Sequence, residues 1–301
     1  MQEEWLQVAA GQSGAISGEQ LAAAGVTVGR KRALAAAGVL QKVRRGVYVL
    51  VGSDRDWRRT LWLGLLAGGD GAFACRRSAA ALWDLDGVAP GFVDIGVPPG
   101  RHPRRPGTVR VGTILVGDLV RHEGVPTTSV ARTLLDLGSV VDSRVVERSV
   151  ECALRRRLVD AASLSGTAAA ARSPGAGCLR QVLDQRPAGA PPTESDPETR
   201  FVQIARTIGL PDPRRQFVVI LRGRKYRLDF AWPALRLAVE IDSISVHGPD
   251  RLGADLYRQN QIQLDGWLIV RFTRQMVVYD QRGVERDLRA AWELRSLAVW
   301  R

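Results

Sequence analysis

Asp229, Glu240, Asp242 and His247 crowd into one short stretch, YRLDFAWPALRLAVEIDSISVH at 226–247. The stretch reads as two hydrophobic strands that carry acids where a plain strand would carry Val or Ile. Side chains alternate across a strand, so Leu235, Leu237, Val239 and Ile241 share one face while Arg236, Ala238, Glu240 and Asp242 share the other. In 226–231 the same rule puts Tyr226, Leu228 and Phe230 on one side and Arg227, Asp229 and Ala231 on the other, with Trp232-Pro233 as the turn between the runs. If the runs pair, three carboxylates converge. Converging carboxylates repel unless something positive sits between them, and an all-oxygen site suits Mg²⁺ or a similar hard cation such as Mn²⁺. The same acids on a solvated edge hairpin would pair with nearby arginines, and alternation alone leaves both readings open.

The elements that must position these acids lie around them in 193–301. Ser195 with Glu198 reads as a capping box, with Pro197 near the first helical position, where its missing N–H costs nothing. Phe201, Ile204, Ala205 and Ile208 recur at helical spacing, which puts Glu198 near the buried stripe; capping alone would also account for it. A strand at 215–221, a turn at 222–225, the two acidic runs, a helix from about 251 to 264, a strand at 267–272 and a final helix complete an α/β unit.

The whole chain of 301 residues is long enough for two or three domains, each with its own core. Its net charge of +12 favours polyanion partners, nucleic acid before an anionic membrane. Only Lys31, Lys42 and Lys225 are lysines, so arginine usage by itself carries little. The distribution says more, because 30–46 and 214–227 each concentrate basic residues and contain no acid. Cys75, Cys152 and Cys178 are scattered and odd in number, which argues against a disulfide framework or a cysteine zinc site and fits a reducing cytoplasm. The start MQEEW lacks a signal-peptide pattern, and the longest apolar stretch, LWLGLLAGG at 61–69, is too short to span a bilayer, so no membrane partner is expected.

Residues 1–52 read as short helices followed by a hairpin. Ser17 and Gln20 fit a capping box, Gly25 ends that helix, Thr27 caps the next, and Gly38 stops it. Two short strands then flank Arg44-Arg45-Gly46. Helix, turn, helix and basic hairpin make a winged helix-turn-helix, with Arg30, Lys31 and Arg32 early in the recognition helix and Lys42, Arg44 and Arg45 on the wing beside DNA phosphates. A small helical module whose charges only keep it soluble is the plainer alternative.

Residues 53–187 read as a mixed α/β connector domain: a helical stretch at 58–85, strands at 92–97 and 108–115, and a helical region from 129 to about 160. Arg101, His102, Arg104 and Arg105 form a basic loop that is either solvated or a phosphate contact, and His102 and His122 lack partners at metal-ligand spacing. Ala, Gly, Ser and Pro dominate 161–192, which reads as a linker. The expected organisation is therefore α/β multidomain, with 1–52, 53–187 and 188–301 as the domains.

Two resemblances bear on these segments. The run ISGEQLAAAGVTVGRKRALAAAGVLQKVRRGVYVL, with VPTTSVARTLLDLG at 125–138, resembles the amino-terminal winged-helix region of the AbiEi-type antitoxin family. That likeness implies promoter binding, repression of the protein's own operon and a cognate toxin partner in a type IV toxin-antitoxin system. The series ESDPETRF, YRLDFAWPALRLAVEID, His247, DLYRQNQ and GWLIVRFT is similar to a domain of unknown function related to the very-short-patch-repair endonuclease, in the PD-(D/E)xK nuclease superfamily. It implies a restriction-endonuclease-like fold with a central mixed sheet, acting on double-stranded DNA by metal-assisted phosphodiester hydrolysis.

Carried over, Asp229, Glu240 and Asp242 would be the metal ligands, with Asp242 where a lysine is usual. Glu198 would be the helix acid, His247 a general acid/base, and Arg258, near Asp255, a stabiliser of transition-state charge. Arg224 and Lys225, in the second basic segment, would hold the phosphate backbone. Ser243 replaces a glycine of the pattern, Gln259 replaces an acid, and the repair enzyme's structural zinc ligands are absent. A nuclease steered by its winged helix and a non-catalytic regulator are thus both expected readings, with RNA processing a minor third.

Overall fold

The computed structural model describes residues 4–97, 108–110, 114–115, 117–242 and 249–299. The chain is an α/β protein that divides into two compact units, Met1–Ala153 with Leu158–Gln181 and Leu154–Arg157 with Val182–Arg301.

The first unit opens with α1 (Glu4–Gly11), β1 (Ala15–Ser17), α2 (Gly18–Ala23) and α3 (Val28–Ala36), followed by β2 (Leu40–Arg44) and β3 (Val47–Leu50). The expected caps are present: Ser17 accepts from the Gln20 N–H at 3.0 Å while the Gln20 side chain accepts from the Ser17 N–H at 2.9 Å. Thr27 accepts from the Arg30 N–H at 3.2 Å. Gly25 and Gly38 end their helices with φ of +77° and +70°, a conformation open to glycine without a Cβ clash. The strands form an antiparallel sheet of order β1-β3-β2. Trp5, Ile16, Leu21 and Leu40 are buried together beneath it.

The rest of this unit comprises α4 (Trp57–Gly68), β4 (Phe73–Ala74), α5 (Arg76–Leu82), β5 (Ile95–Val97), β6 (Thr108–Arg110), β7 (Leu119–His122), β8 (Val125–Thr128), α6 (Val130–Leu137), α7 (Ser143–Arg155), α8 (Ala161–Ala170) and α9 (Ala176–Asp184), except for the ends of α7 and α9, which from Leu154 and from Val182 fall in the second unit. Its described strands form a mixed sheet, β6-β5-β4-β8-β7. The helical stretch expected at 58–85 is interrupted by β4, because Gly69 and Gly71 adopt φ of +84° and +76° and turn the chain. The strand expected at 92–97 begins only at Ile95. The linker expected at 161–192 is instead largely helical: α8 and α9 bury Leu164, Ala168, Ala176 and Leu179. Alanine is the best helix former, so its abundance there marks packed helix and not flexible chain.

The second unit contains α10 (Asp196–Thr207), β9 (Arg214–Leu221), β10 (Arg224–Trp232), β11 (Leu237–Asp242), α11 (Pro249–Leu264), β12 (Leu268–Thr273), α12 (Arg274–Tyr279) and α13 (Gln281–Val299). Its sheet has the order β12-β11-β10-β9, antiparallel except for the parallel pair β11 and β12, which α11 connects. Phe201 of α10, Val277 of α12 and Val284 and Leu288 of α13 pack with Phe230, Val239 and Phe272 in one cluster. Ile262 of α11 packs with Ala231 and Ala238 in another. Phe201 and Phe230 are fully buried with ring centroids 4.8 Å apart, and each such side chain contributes roughly 2–3 kcal/mol by leaving water. Trp232-Pro233 does not turn directly into a strand. Pro233–Leu235 is a turn of 3-10 helix and Arg236 adopts φ of +45°, so Leu235 and Arg236 belong to the connection. Among the described residues no helix is long and apolar enough to cross a membrane.

Candidate functional site

In the first unit, the cap at Thr27 sets Arg30 into the first turn of α3, followed by Lys31 and Arg32. No residue of α3 is buried. The β2–β3 hairpin carries Lys42, Arg44 and Arg45, all exposed, and a register shift between Lys42 and Arg44 leaves Val43 exposed as well. None of these six cations has a side-chain partner among the described residues. Unpaired cations on one helix and an adjacent hairpin attract a polyanion with little competition from the protein's own acids.

In the second unit, β10 and β11 pair from Phe230 opposite Val239 to Trp232 opposite Leu237. The ladder ends where the acids begin. Asp229 uses a side-chain oxygen instead, with Oδ2 accepting the Ile241 N–H at 3.0 Å. Here the alternation expected for Tyr226, Leu228 and Phe230 fails: Tyr226 and Leu228 pack in the cluster with Ala231 and Ile262, whereas Phe230 packs in the opposite one. The faces of β10 exchange at Asp229. Breaks of this kind re-aim a side chain beside functional sites.

Glu240, the residue directly after Val239, is only 6% exposed. Its Oε1 and Oε2 accept from Arg258 at 2.5 and 3.2 Å, and the Arg271 Nε lies 3.8 Å from the same Oε2. Arg258 also donates to the Arg227 carbonyl at 2.6 Å, which ties α11 to β10. Asp242 accepts from Arg271 through both oxygens, at 2.8 and 2.9 Å. Glu198 is buried at the start of α10, where Oε2 accepts the Glu194 N–H at 2.9 Å and Oε1 accepts from the Ser195 hydroxyl at 3.1 Å. The capping exchange at this helix thus reaches one residue further back than the expected box.

These acids feel one another. Burial raises the pKa of Asp229, opposed by the Ile241 N–H and reinforced by the charges of Glu240 and Glu194. Burial likewise raises Glu198, opposed by the Glu194 N–H and reinforced by Asp229. Glu194, paired at the surface with Arg227 at 2.9 Å, is therefore a member of the acidic group that the sequence reading passed over, as it did Arg227 and Arg271. Among the described residues, no three acids, histidines or cysteines are placed to enclose a metal by themselves.

Other expected residues are placed as follows. Arg224 lies over the Tyr257 ring at 5.5 Å and Lys225 is exposed beside it. His122 stacks on Trp83 with ring centroids 3.9 Å apart. Arg101, His102, Arg104, Arg105, Ser243 and His247, and the side chain of Asp255, lie outside the described residues.

No family model matches the chain. Two Mycobacterium tuberculosis proteins are similar to it, uncharacterized protein MT2308 of strain CDC 1551 / Oshkosh and uncharacterized protein Rv2248 of strain H37Rv. Each is 30% identical over 239 residues, spanning 77% of this chain and 85% of the relative.

Proposed function

We propose that this chain, which belongs to the family of the two mycobacterial proteins, binds double-stranded DNA and carries a divalent-metal-dependent phosphodiester-hydrolysing site in its second unit. The first unit's helix pair and hairpin act as a winged helix-turn-helix, with Arg30, Lys31 and Arg32 entering a groove and Lys42, Arg44 and Arg45 lying on phosphates. The second unit acts as an endonuclease-like domain. The observation that carries this reading is the convergence of Asp229 and Glu240 where the β10–β11 ladder stops, with Glu198 and Glu194 close enough to raise carboxyl pKa values.

The donor set fits Mg²⁺ or Mn²⁺. Mg²⁺ uses one or two carboxylates and keeps waters and substrate phosphates for its other positions, so it does not need the closed cage that the described residues lack. Asp229 and Glu240 would hold it, with Asp242, two residues further along β11, as the third acid. A cation held there supplies an activated water and offsets charge on the phosphate. The protein's own residues do the rest: Arg258 neutralises Glu240 and stands ready for phosphate charge, Arg271 fixes Asp242, and Arg224 and Lys225 grip the DNA backbone. His247 is the group to carry a proton. The three free cysteines fit a cytoplasmic setting.

A second reading is favoured by one observation: Glu240 and Asp242 are already neutralised by arginines. With its acids so paired, the second unit would bind DNA or a cognate toxin without cleaving, and the whole chain would repress its own operon as an antitoxin. Incubating the full chain with plasmid DNA and Mg²⁺ separates the two. Cleavage abolished by EDTA and by Asp229→Ala supports hydrolysis; salt-sensitive binding without cleavage supports the regulator.

A further inference from the structure

Opposite Asp229 on the neighbouring strand β9 stands Gln216, a residue that none of the expected chemistry includes. The β9–β10 ladder runs from Arg224 and Leu221 to Leu228 and Phe217, resumes at Phe230 and Arg215, and omits Gln216 and Asp229 between them. The interruption is shared by both strands. Phe217 and Val219 pack in the cluster with Leu228, so β9 follows the same face as β10 up to this point. Gln216 adopts φ of +50°, a left-handed conformation that costs a residue with a Cβ about 1–2 kcal/mol and that sits inside a strand with no turn to require it.

Its side chain is unusual in a second, independent way. Both carboxamide atoms, Oε1 and Nε2, are buried and neither has a hydrogen-bond partner among the described residues. Buried polar groups are normally satisfied, because each unpaired one forfeits its hydration. Two unpaired atoms on a strained residue, at the register position facing Asp229, are a poor arrangement for stability. They are a reasonable one for a ligand that arrives from outside.

We infer that Gln216 is a positioning residue of the acidic site, whose carboxamide holds a water of the hydration shell of the divalent cation bound by Asp229 and Glu240. This rests on the metal-site reading proposed above. A hydrated Mg²⁺ or Mn²⁺ presents water molecules that both donate and need orientation, and a carboxamide offers one acceptor and two donors in fixed geometry. It is also neutral. In a group where Glu194, Glu198, Asp229 and Glu240 already repel one another, a further carboxylate would raise the cost of the cation-free state, whereas an amide adds polar contacts without charge. Hydrogen-bonding residues just outside a metal's direct ligands change affinity by about 10–100-fold.

The test uses the full-length chain and Mn²⁺ as the probe, with thermal unfolding and Mn²⁺ binding read by titration calorimetry or by the Mn²⁺ spin-resonance signal. Gln216→Gly removes both the left-handed strain and the two unpaired atoms. Expected is a cation-free Tm equal to or above that of the wild type, together with Mn²⁺ binding weakened about tenfold. Gln216→Glu keeps the length of the side chain and adds charge, so it should lower the cation-free Tm and tighten Mn²⁺ binding. A drop of more than about 4 °C in the cation-free Tm of Gln216→Gly would show a structural residue and overturn the inference. Unchanged Mn²⁺ affinity in both variants would overturn it as well. If the wild type binds no Mn²⁺, or Asp229→Ala binds it as well as the wild type, the metal site itself fails and Gln216 falls with it. If those two controls behave and only the Gln216 variants are silent, this assignment alone is wrong.

Discussion

Arg258 and Glu240 form a two-contact ion pair, Nη2 to Oε1 at 2.5 Å and Nη1 to Oε2 at 3.2 Å, joining α11 to β11. The pair is uneven in exposure, since the Glu240 side chain is 7% exposed and that of Arg258 is 31% exposed. The arginine therefore serves as the counter-ion of a buried acid in the cation-free protein. It also neutralises part of the charge that a metal would otherwise meet.

Removing that counter-ion leaves Glu240 buried, with the more distant Arg271 as its one remaining cation among the described residues. Arg258→Ala should cost about 2–3 kcal/mol of stability, toward the low end of values for breaking buried pairs because Arg258 is partly solvated. Mn²⁺ should then raise the Tm of the variant more than that of the wild type, since the cation replaces the missing charge. Equal Mn²⁺-induced shifts in the two proteins would count against a shared site for cation and arginine.

The pH dependence follows from Asp229 and Glu198, both of which have folded-state pKa values raised chiefly by burial. The folded protein holds these protons to higher pH than the unfolded chain does. Their contribution to stability is therefore greatest below the ordinary carboxylate value of about 4 and falls as pH rises through the raised folded values. Asp229→Asn should reduce this fall, as measured by denaturant unfolding across the acidic range. Divalent-cation affinity should move the opposite way, strengthening with pH as these acids ionise. A pH-independent affinity over that window would contradict protonation at the site.

On the first unit, replacing Arg30, Lys31 and Arg32 together by Ala should weaken DNA binding steeply. If all three meet phosphates, the slope of log affinity against log salt should fall by about 2–3. If they read bases, affinity should fall with less change in slope and with loss of preference among sequences. Footprinting and salt titration of the variant and the wild type separate these outcomes, and unaltered binding would reject α3 as the reading helix.

Much of the fold was legible where one residue type answers one backbone need. Ser17, Thr27, Gly25 and Gly38 fix the boundaries of α2 and α3 by capping and by left-handed φ, and the chain places them as expected. The candidate site was legible to the extent that Asp229 and Glu240 both border the end of the same ladder. What escaped were features set by tertiary context. Alternation assumes an unbroken strand, so it could not show that β10 changes face at Asp229 or that Gln216 faces that break. The arginine partners Arg258 and Arg271 come from α11 and β12, and their choice of acid depends on how these elements register against β11. The β7–β8 hairpin had a signal in Glu123-Gly124, where both residues take positive φ, but only glycine advertises it in sequence.

The Ala-rich segment offers a plain check on the corrected reading of 161–192. Leu164 and Leu179 are fully buried on α8 and α9. Leu164→Ala and Leu179→Ala should each cost about 2–5 kcal/mol, read from denaturant midpoints. A flexible linker would tolerate either change without effect.

The most direct measurement is anomalous scattering from a crystal of the full chain soaked in Mn²⁺. Expected is a peak bridging Asp229 and Glu240, with Arg258 withdrawn from at least one oxygen of Glu240. A crystal at saturating Mn²⁺ with no peak there, and with the Arg258–Glu240 pair intact, would contradict the metal site.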